Sequence, residues 1–361
     1  MAGWNIPVML NYKIKKGGAI VARNLIFKDA AKARNSITKR QKKEIKKFYE
    51  DVAKDLEKEM ERLKNIDTVS SSLQQQRIRD LQKSLNKSIE NIGKQVEQNV
   101  KEGILDVSKA TCKAAIKVAK EYGFTVGKAY ASVPDSVVRK LITGKVYDSG
   151  WSLSNRIWNM NKTTQKDIYK IVAAGIAENK SAYDIAKDLE EYVNPNKKKP
   201  WNLKMKDGKK IYKRQVDYSA QRLARTLTQH AYQQSMLEVT KNNPWLKNYI
   251  WNANGSRACP LCRSRDGNRY NIKDLPMDHP NGMCVIEPDF VDDKIIVDDI
   301  ANWINSESGT YPAIDKYAKE LTGNKYWFIK ILKIFHKTID FIVQYDIIKS
   351  SDKSIKAYGG N

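Results

Sequence analysis

Residues 78–100, IRDLQKSLNKSIENIGKQVEQNV, decide the fold of the amino-terminal half of the chain. Their apolar positions step by 3, 4, 4, 3, 4 and 4 residues, a spacing that brings them onto one stripe of an α-helix. The stripe consists of Ile78, Leu81, Leu85, Ile89, Ile92, Val96 and Val100. Such a heptad seam needs a partner helix. The preceding helix, folded back as an antiparallel hairpin, and the same helix of another subunit both satisfy the pattern.

A second stripe of the same kind precedes this one and predicts the first of two long amphipathic helices within residues 29–123. Its members recur three or four residues apart among Lys and Glu: Ile45, Phe48, Val52, Leu56, Met60 and Leu63. Residues 1–28 show no sustained period and contain Pro7, Gly17 and Gly18. We therefore expect an irregular amino-terminal arm over 1–28.

The second half of the chain has a different character, with shorter helical stretches and more turn residues. We expect a smaller α+β module over 140–290 and a carboxy-terminal tail over 291–361 that carries one amphipathic helix at 326–343. That segment contains Lys330, Lys333, His336, Lys337 and Asp340, so it does not resemble a membrane span. The predicted fold class is mainly α, a long coiled-coil-like helical half followed by the small module.

The charge of the chain limits its partners. The 361 residues include 65 Lys and Arg against 41 Asp and Glu, a formal net charge of +24, and 41% of the residues are hydrophobic. This composition excludes a wholly disordered or collagenous chain, and a surface so positive favours nucleic acid or an anionic membrane as partner.

The most basic stretch is 194–214, which we expect to be an exposed loop or short hairpin, with Trp201 and Tyr212 among its basic residues. It is either a nucleic-acid contact or a solvated loop. The candidate DNA contacts are Lys197, Lys198, Lys199, Lys204, Lys206, Lys209, Lys210, Lys213 and Arg214.

Three of the four cysteines lie within 26 residues of each other, beside one of the three histidines. The pattern Cys259-x2-Cys262 followed by His279-x4-Cys284 supplies three thiolates and one imidazole, a common ligand set for structural zinc. Unmetallated buried thiols and a Cys259–Cys262 redox pair are the alternatives. Cys112, His230 and His336 lie on expected helices away from this set, and we interpret them as structural or surface residues.

The residues around this cluster resemble a known family. Arg225-Thr226 on a helix, the apolar strand Tyr249-Ile250-Trp251 and the Asp266-Gly267 turn are among the matching features. The others are Ser256-Arg257-Ala258-Cys259-Pro260-Leu261-Cys262 and Pro276 followed by His279-Pro280-Asn281 and Cys284. Together they resemble the tailed-phage head-morphogenesis family, the minor head proteins of the Mu F type. The resemblance covers roughly 140–290, with the knuckle-like segment at 256–286.

The resemblance implies a minor virion protein that associates with the portal and capsid or scaffold proteins in the phage head, after assembly in the host cytoplasm. Its expected roles are head assembly and DNA packaging or ejection, with self-association through the amino-terminal helices as a further possibility. A ββα-metal nuclease built on Asp278-His279, or a metal-dependent DNA-binding protein, is the alternative. The chain contains no Walker A sequence, nucleophile elbow or H-E-x-x-H, so a non-enzymatic function is favoured.

Overall fold

The computed structural model describes residues 19–322 except 65–70, 123, 125, 127, 198–201, 205–209, 213–214 and 308. Two long helices, α1 (Ala19–Lys64) and α2 (Ser71–Glu121), form the amino-terminal part. The prediction of an irregular arm is therefore wrong for residues 19–28, and residues 1–18 lie outside the described part. Near the start of α1, Ile26 and Phe27 are in the core, and Phe27 stacks on Phe290, so this part of the helix packs against the rest of the fold.

The two long helices lie antiparallel in a hairpin within one chain. Gln41 donates a hydrogen bond to the Asn99 carbonyl (3.1 Å), and Arg40 pairs with Asp106 at 2.7 Å. All seven residues of the predicted seam are buried. The seam is thus filled by intrachain packing, and self-association through other faces of these helices stays a prediction.

Four further helices pack beside the hairpin: α3 (Val133–Thr143), α4 (Leu153–Ala177), α5 (Ala182–Val193) and α6 (Tyr218–Thr240). Ser152 and Ser181 cap α4 and α5, since each hydroxyl accepts the backbone N–H three residues on. Helix α6 contacts both α1 and α2 and buries polar as well as apolar residues.

The strands are few and short. Strands β1 (Asn202–Lys204) and β2 (Lys210–Tyr212) form the antiparallel hairpin that was one of the two expectations for 194–214. A three-stranded antiparallel sheet in the order β4–β3–β5 contains β3 (Leu246–Asn252), β4 (Arg269–Tyr270) and β5 (Val285–Phe290). A short helix, α7 (Pro260–Arg265), lies between β3 and β4. The mainly helical architecture with a small sheet in the carboxy-terminal part is confirmed.

Residues beyond 291 do not begin a tail. They form α8 (Asp293–Asn305) and α9 (Pro312–Thr322), which bury Trp303 and Tyr317 against the ring of Phe124 at centroid distances of 6.2 and 5.7 Å. The apolar faces of α8 and α9 have partners in the core, which explains why this part of the chain is packed. The expected amphipathic helix at 326–343 lies outside the described residues.

The buried residues of the hairpin, of the middle helices and of the sheet belong to one contiguous core cluster. The units defined from sequence, 29–123 and 140–290, therefore share that core. Among the helices described, none is long and apolar enough to cross a membrane.

Candidate metal centre

Two short segments bring the predicted ligands together. Cys259 stands at the N-cap of α7 in an extended conformation, and its Sγ accepts the backbone N–H of Cys262 at 3.4 Å. Pro260 occupies the first turn of that helix, where a missing N–H has no cost. The C-x2-C spacing therefore places Cys259 at the N-cap of α7 and Cys262 in its first turn, so that both sulfurs lie on one side of the helix.

The loop between β4 and β5 supplies the imidazole. His279 Nε2 lies 3.3 Å from Cys259 Sγ, and His279 Nδ1 lies 3.0 Å from the Pro280 carbonyl oxygen. A carbonyl oxygen only accepts, so this contact assigns the ring proton to Nδ1. The lone pair of Nε2 is then directed at the thiols, the arrangement usual for a histidine that binds a metal.

The candidate ligand atoms form two overlapping groups, each with all atoms within 4.8 Å of one another. One group contains Cys259, Cys262 and His279, and the other contains Cys262, Asp278 and Cys284. The four predicted ligands thus meet around Cys262, in a cluster that is able to hold a metal ion. Asp278, which is not among the predicted ligands, belongs to the same cluster.

The three thiols differ in pKa, in part because they differ in burial. Cys262 and Cys284 are 1% and 2% exposed, and this desolvation raises the pKa of each thiol. The Asp278 carboxylate adds to the rise at Cys284. The pKa of Cys259 is lowered, chiefly by the hydrogen bond from the Cys262 N–H and further by His279. Cys259 is therefore the readiest thiolate, and a divalent cation would favour the thiolate form of the two buried sulfurs as well.

Asp278 closes the loop that carries the ligands. Its carboxylate accepts the backbone N–H groups of His279 (2.9 Å) and Cys284 (3.1 Å) and the side-chain amide of Gln229 (2.9 Å). Gly282 packs against the same carboxylate, because a Cβ there would lie 2.2 Å from Asp278 Oδ1. The two ends of the segment 278–284 are thereby fixed to one buried side chain.

Helix α6 anchors this loop along one polar face, whose members Thr226, Gln229, His230 and Gln233 have helical spacings of 3, 4 and 7. Gln229 donates to the Cys284 carbonyl at 2.7 Å, and Gln233 donates to the Pro276 carbonyl at 2.7 Å. Thr226 accepts the N–H of Asn281 at 2.8 Å. Burying four polar side chains on one helix is tolerable because each has a partner in the loop or beside it.

His230 is one of these anchors and is structural, as expected. Its Nε2 lies 2.8 Å from the Asp278 carbonyl, and its Nδ1 lies 2.9 Å from the Tyr147 hydroxyl. Burial lowers the pKa of this histidine. Cys112 is likewise a buried packing residue, whose thiol pKa burial raises to about 12. His336 lies outside the described residues.

Arg34 of α1 reaches the same loop and was not indicated by the sequence. It is 1% exposed, and its Nη1 donates to Gln229 Oε1 (2.6 Å) and to the Cys284 carbonyl (2.8 Å). Its Nη2 donates to the Met283 carbonyl at 3.2 Å. Burial lowers the pKa of this guanidinium. Arg34 thus ties the long hairpin to the candidate metal centre.

The candidate DNA contacts are only partly described. Lys197 forms an ion pair with Glu190, a carboxylate that is 1% exposed, so its charge is engaged within the chain. The backbones of Lys204 and Lys210 are paired in the register of β1 and β2. The other candidates lie outside the described residues: Lys198, Lys199, Lys206, Lys209, Lys213 and Arg214. Binding of nucleic acid by this hairpin stays a prediction.

Comparisons of the chain with protein-family models, with curated proteins and with solved structures give no match. The interpretation of the centre accordingly depends on its own chemistry and on the sequence resemblance described above.

Proposed function

We propose that the protein is a minor structural component of a phage head, in which a structural zinc ion organises the loop-rich part of the fold. The observation that carries the proposal is the convergence of the residues that resemble the head-morphogenesis family. Thr226, Cys259 and His279 lie up to 53 residues apart in sequence, yet each contacts the same loop or cluster, together with Asn281 and Cys284.

The chemistry of the centre supports zinc as the ion. Cys259, Cys262, His279 and Cys284 would supply three thiolates and an imidazole, a set that suits tetrahedral zinc. Two of the sulfurs are buried. Gln229 and Arg34 donate hydrogen bonds to the backbone of the loop that carries the ligands. Such a sulfur-rich site, supported by hydrogen bonds to the loop, is typical of a structural ion.

The same contacts weigh against the ββα-metal nuclease alternative. A catalytic centre of that type needs a free general base, whereas the Asp278 carboxylate is engaged by three donors and His279 Nε2 faces Cys259 Sγ at 3.3 Å. Within the described residues, the cluster contains no second histidine. Cleavage of plasmid DNA in the presence of magnesium or manganese, abolished by His279→Ala, would contradict the non-enzymatic assignment.

We propose the phage portal and the capsid or scaffold proteins as partners, in the virion head after assembly in the host cytoplasm. The net charge of +24 is compatible with a place beside packaged DNA, during packaging or ejection. The long hairpin is the element of the fold with the greatest reach for such contacts.

The first experiment is elemental analysis of the purified protein for zinc, with the variants Cys259→Ser and Cys284→Ser. About one zinc per chain, lost in both variants, is expected. Cys112→Ser is the matched control and should retain the ion, because Cys112 is buried in the helical core. Absence of zinc under reducing, chelator-free conditions would contradict the proposed centre.

The second experiment tests the place of the protein in the head. When the protein is expressed with the portal and capsid proteins of the same phage, we expect a few copies per assembled head by quantitative mass spectrometry. The two zinc-deficient variants should be incorporated poorly, and Cys112→Ser normally. Heads that assemble fully and never contain the protein would contradict the assignment even if the zinc is present.

A further inference from the structure

A row of lysines follows one side of α1 near the base of the long hairpin. At about 100° per residue, Lys28, Lys32, Lys39, Lys42, Lys43 and Lys46 fall within an arc of about 100°. Only two carboxylates lie within 4 Å of them among the described residues, Asp29 beside Lys32 and Glu50 beside Lys46, each at 3.4 Å. The row is therefore largely uncompensated.

A second row of lysines lies on the neighbouring part of α2. Lys109, Lys113, Lys117 and Lys120 are all exposed, and no Asp or Glu occurs from 107 to 120. Arg40, on the flank of the α1 row, pairs with Asp106 at 2.7 Å, and Asp106 shares the face of α2 that carries Lys109 and Lys113. The two rows thus flank one interhelical contact, and we call their ten lysines the basic face.

The charge of the hairpin is distributed unevenly along its length. The base section of α1, residues 19–47, contains ten Lys and Arg but only two Asp and Glu. The distal section, 48–64 and 71–98, contains nine Lys and Arg against nine Asp and Glu. Helix propensity and solubility explain charged residues in general. They do not explain why one end is strongly basic while the other, on the same two helices, is neutral.

We propose that the basic face binds the phosphate backbone of double-stranded DNA. The α1 row extends from Lys28 to Lys46, 18 helical steps or about 27 Å, the length of about eight base pairs at 3.4 Å per step. A rigid, nearly straight row of cations complements a stiff duplex, which carries one negative charge per about 1.7 Å of its axis. The inference depends on the surface charge alone and holds whether or not the protein resides in a phage head.

Other polyanions fit this face less well. A helix that lies on a membrane presents apolar side chains to the lipid, but the apolar side of α1 is buried against α2 and the core. A single strand is usually bound by stacking its bases on aromatic side chains. None of the exposed large hydrophobic residues of the described chain lies on α1. The basic face therefore offers backbone contacts and no means of reading sequence.

The test measures binding of the full-length protein to a labelled 24-base-pair duplex over a series of salt concentrations. The variants are Lys39→Gln with Lys42→Gln and Lys43→Gln on α1, and Lys109→Gln with Lys113→Gln and Lys117→Gln on α2. Each lysine that neutralises a phosphate contributes about 0.9 to the slope of log K against log salt. Each triple variant should bind the duplex at least about tenfold more weakly. Its slope of log K against log salt should be smaller in magnitude by roughly 2 to 3.

The matched control is Lys54→Gln with Lys83→Gln and Lys87→Gln, which removes three exposed lysines from the neutral distal section. Its affinity and slope should stay close to those of the unchanged protein. Equal losses in all three variants would overturn the proposal, because they would show an effect of net charge alone. Binding to vesicles with one-third phosphatidylserine but not to the duplex would overturn it too.

Discussion

Gly282 shows how tightly the candidate metal loop is built at the scale of single residues. We expect Gly282→Ala to destabilise the protein by about 1–3 kcal/mol, because the new Cβ would lie 2.2 Å from Asp278 Oδ1 and the carboxylate cannot retreat from its three donors. Denaturant unfolding and zinc content are the measurements. Ser264→Ala, an exposed change in the adjacent helix α7, should alter the free energy of unfolding by less than about 0.5 kcal/mol.

Arg34 makes a second prediction at this scale. Arg34→Met keeps most of the side-chain volume but leaves the carbonyls of Met283 and Cys284 without this donor. We expect a loss of about 3 kcal/mol in the free energy of unfolding, since buried polar groups are left unsatisfied.

Arg40→Met serves as the control for that measurement. Arg40 is half exposed and its ion pair with Asp106 is a surface pair, so less than about 1 kcal/mol is expected. Equal effects of the two substitutions would contradict an anchoring role for Arg34.

The candidate ligands were predictable from sequence and their supports were not. Two residues separate Cys259 from Cys262, a spacing typical of metal ligands, and His279 and Cys284 complete the set. Arg34 is 250 positions from Cys284, and nothing in its local sequence distinguishes it from the other basic residues of α1. Gln229 and Asp278 likewise acquire their roles only when α6 and the loop meet.

At the scale of elements, Gly103 of α2 tests how closely the two long helices approach. A Cβ at Gly103 would lie 2.1 Å from Nε2 of Gln41, a buried side chain that is bonded to Asn99 and Thr228. Gly103→Ala should therefore destabilise the hairpin by about 1–3 kcal/mol, measured by thermal or denaturant unfolding.

Gly93→Ala is the matched control on the same helix. Its Cβ would meet Asn161 at 2.2 Å, but Asn161 is only partly buried and is able to turn away. The alanine gains about 0.5–1 kcal/mol of helix propensity, so we expect little change or a slight stabilisation. Destabilisation by Gly93→Ala as large as that by Gly103→Ala would contradict this account.

For one of these elements, the periodic spacing of apolar residues was sufficient to predict which residues are buried. The heptad seam of α2 predicted its burial residue by residue, because a long regular helix repeats one contact many times. The sequence predicts no packed structure for residues 19–28 and 291–322, because the residues against which they pack, such as Phe290 and Phe124, are distant in sequence. The sequence did not distinguish an intrachain hairpin from pairing with another subunit, because either partner helix satisfies the seam. Only the fold shows that the preceding helix fills it.

For the whole molecule, we expect removal of zinc to loosen one region without unfolding the chain. The loop 276–284 owes its shape to the candidate ligands and to α6, whereas the hairpin and middle helices have an extensive core of their own. After chelation, hydrogen exchange should accelerate in β3, β5 and the loop, while the helical circular dichroism signal falls only slightly. A complete loss of that signal would contradict the expectation that the hairpin and the middle helices stay folded without zinc.

The long hairpin also has a mechanical consequence. Arg34 grips the ligand loop at a point on α1 from which the helix continues for 30 residues, about 45 Å, to Lys64. Along this stretch α1 is held at two further points, because Thr228 donates a hydrogen bond to Gln41 and Asn196 donates one to Glu50, each at 2.9 Å. A force applied at Lys64 by another molecule would therefore load these two contacts before the hydrogen bonds between Arg34 and the ligand loop.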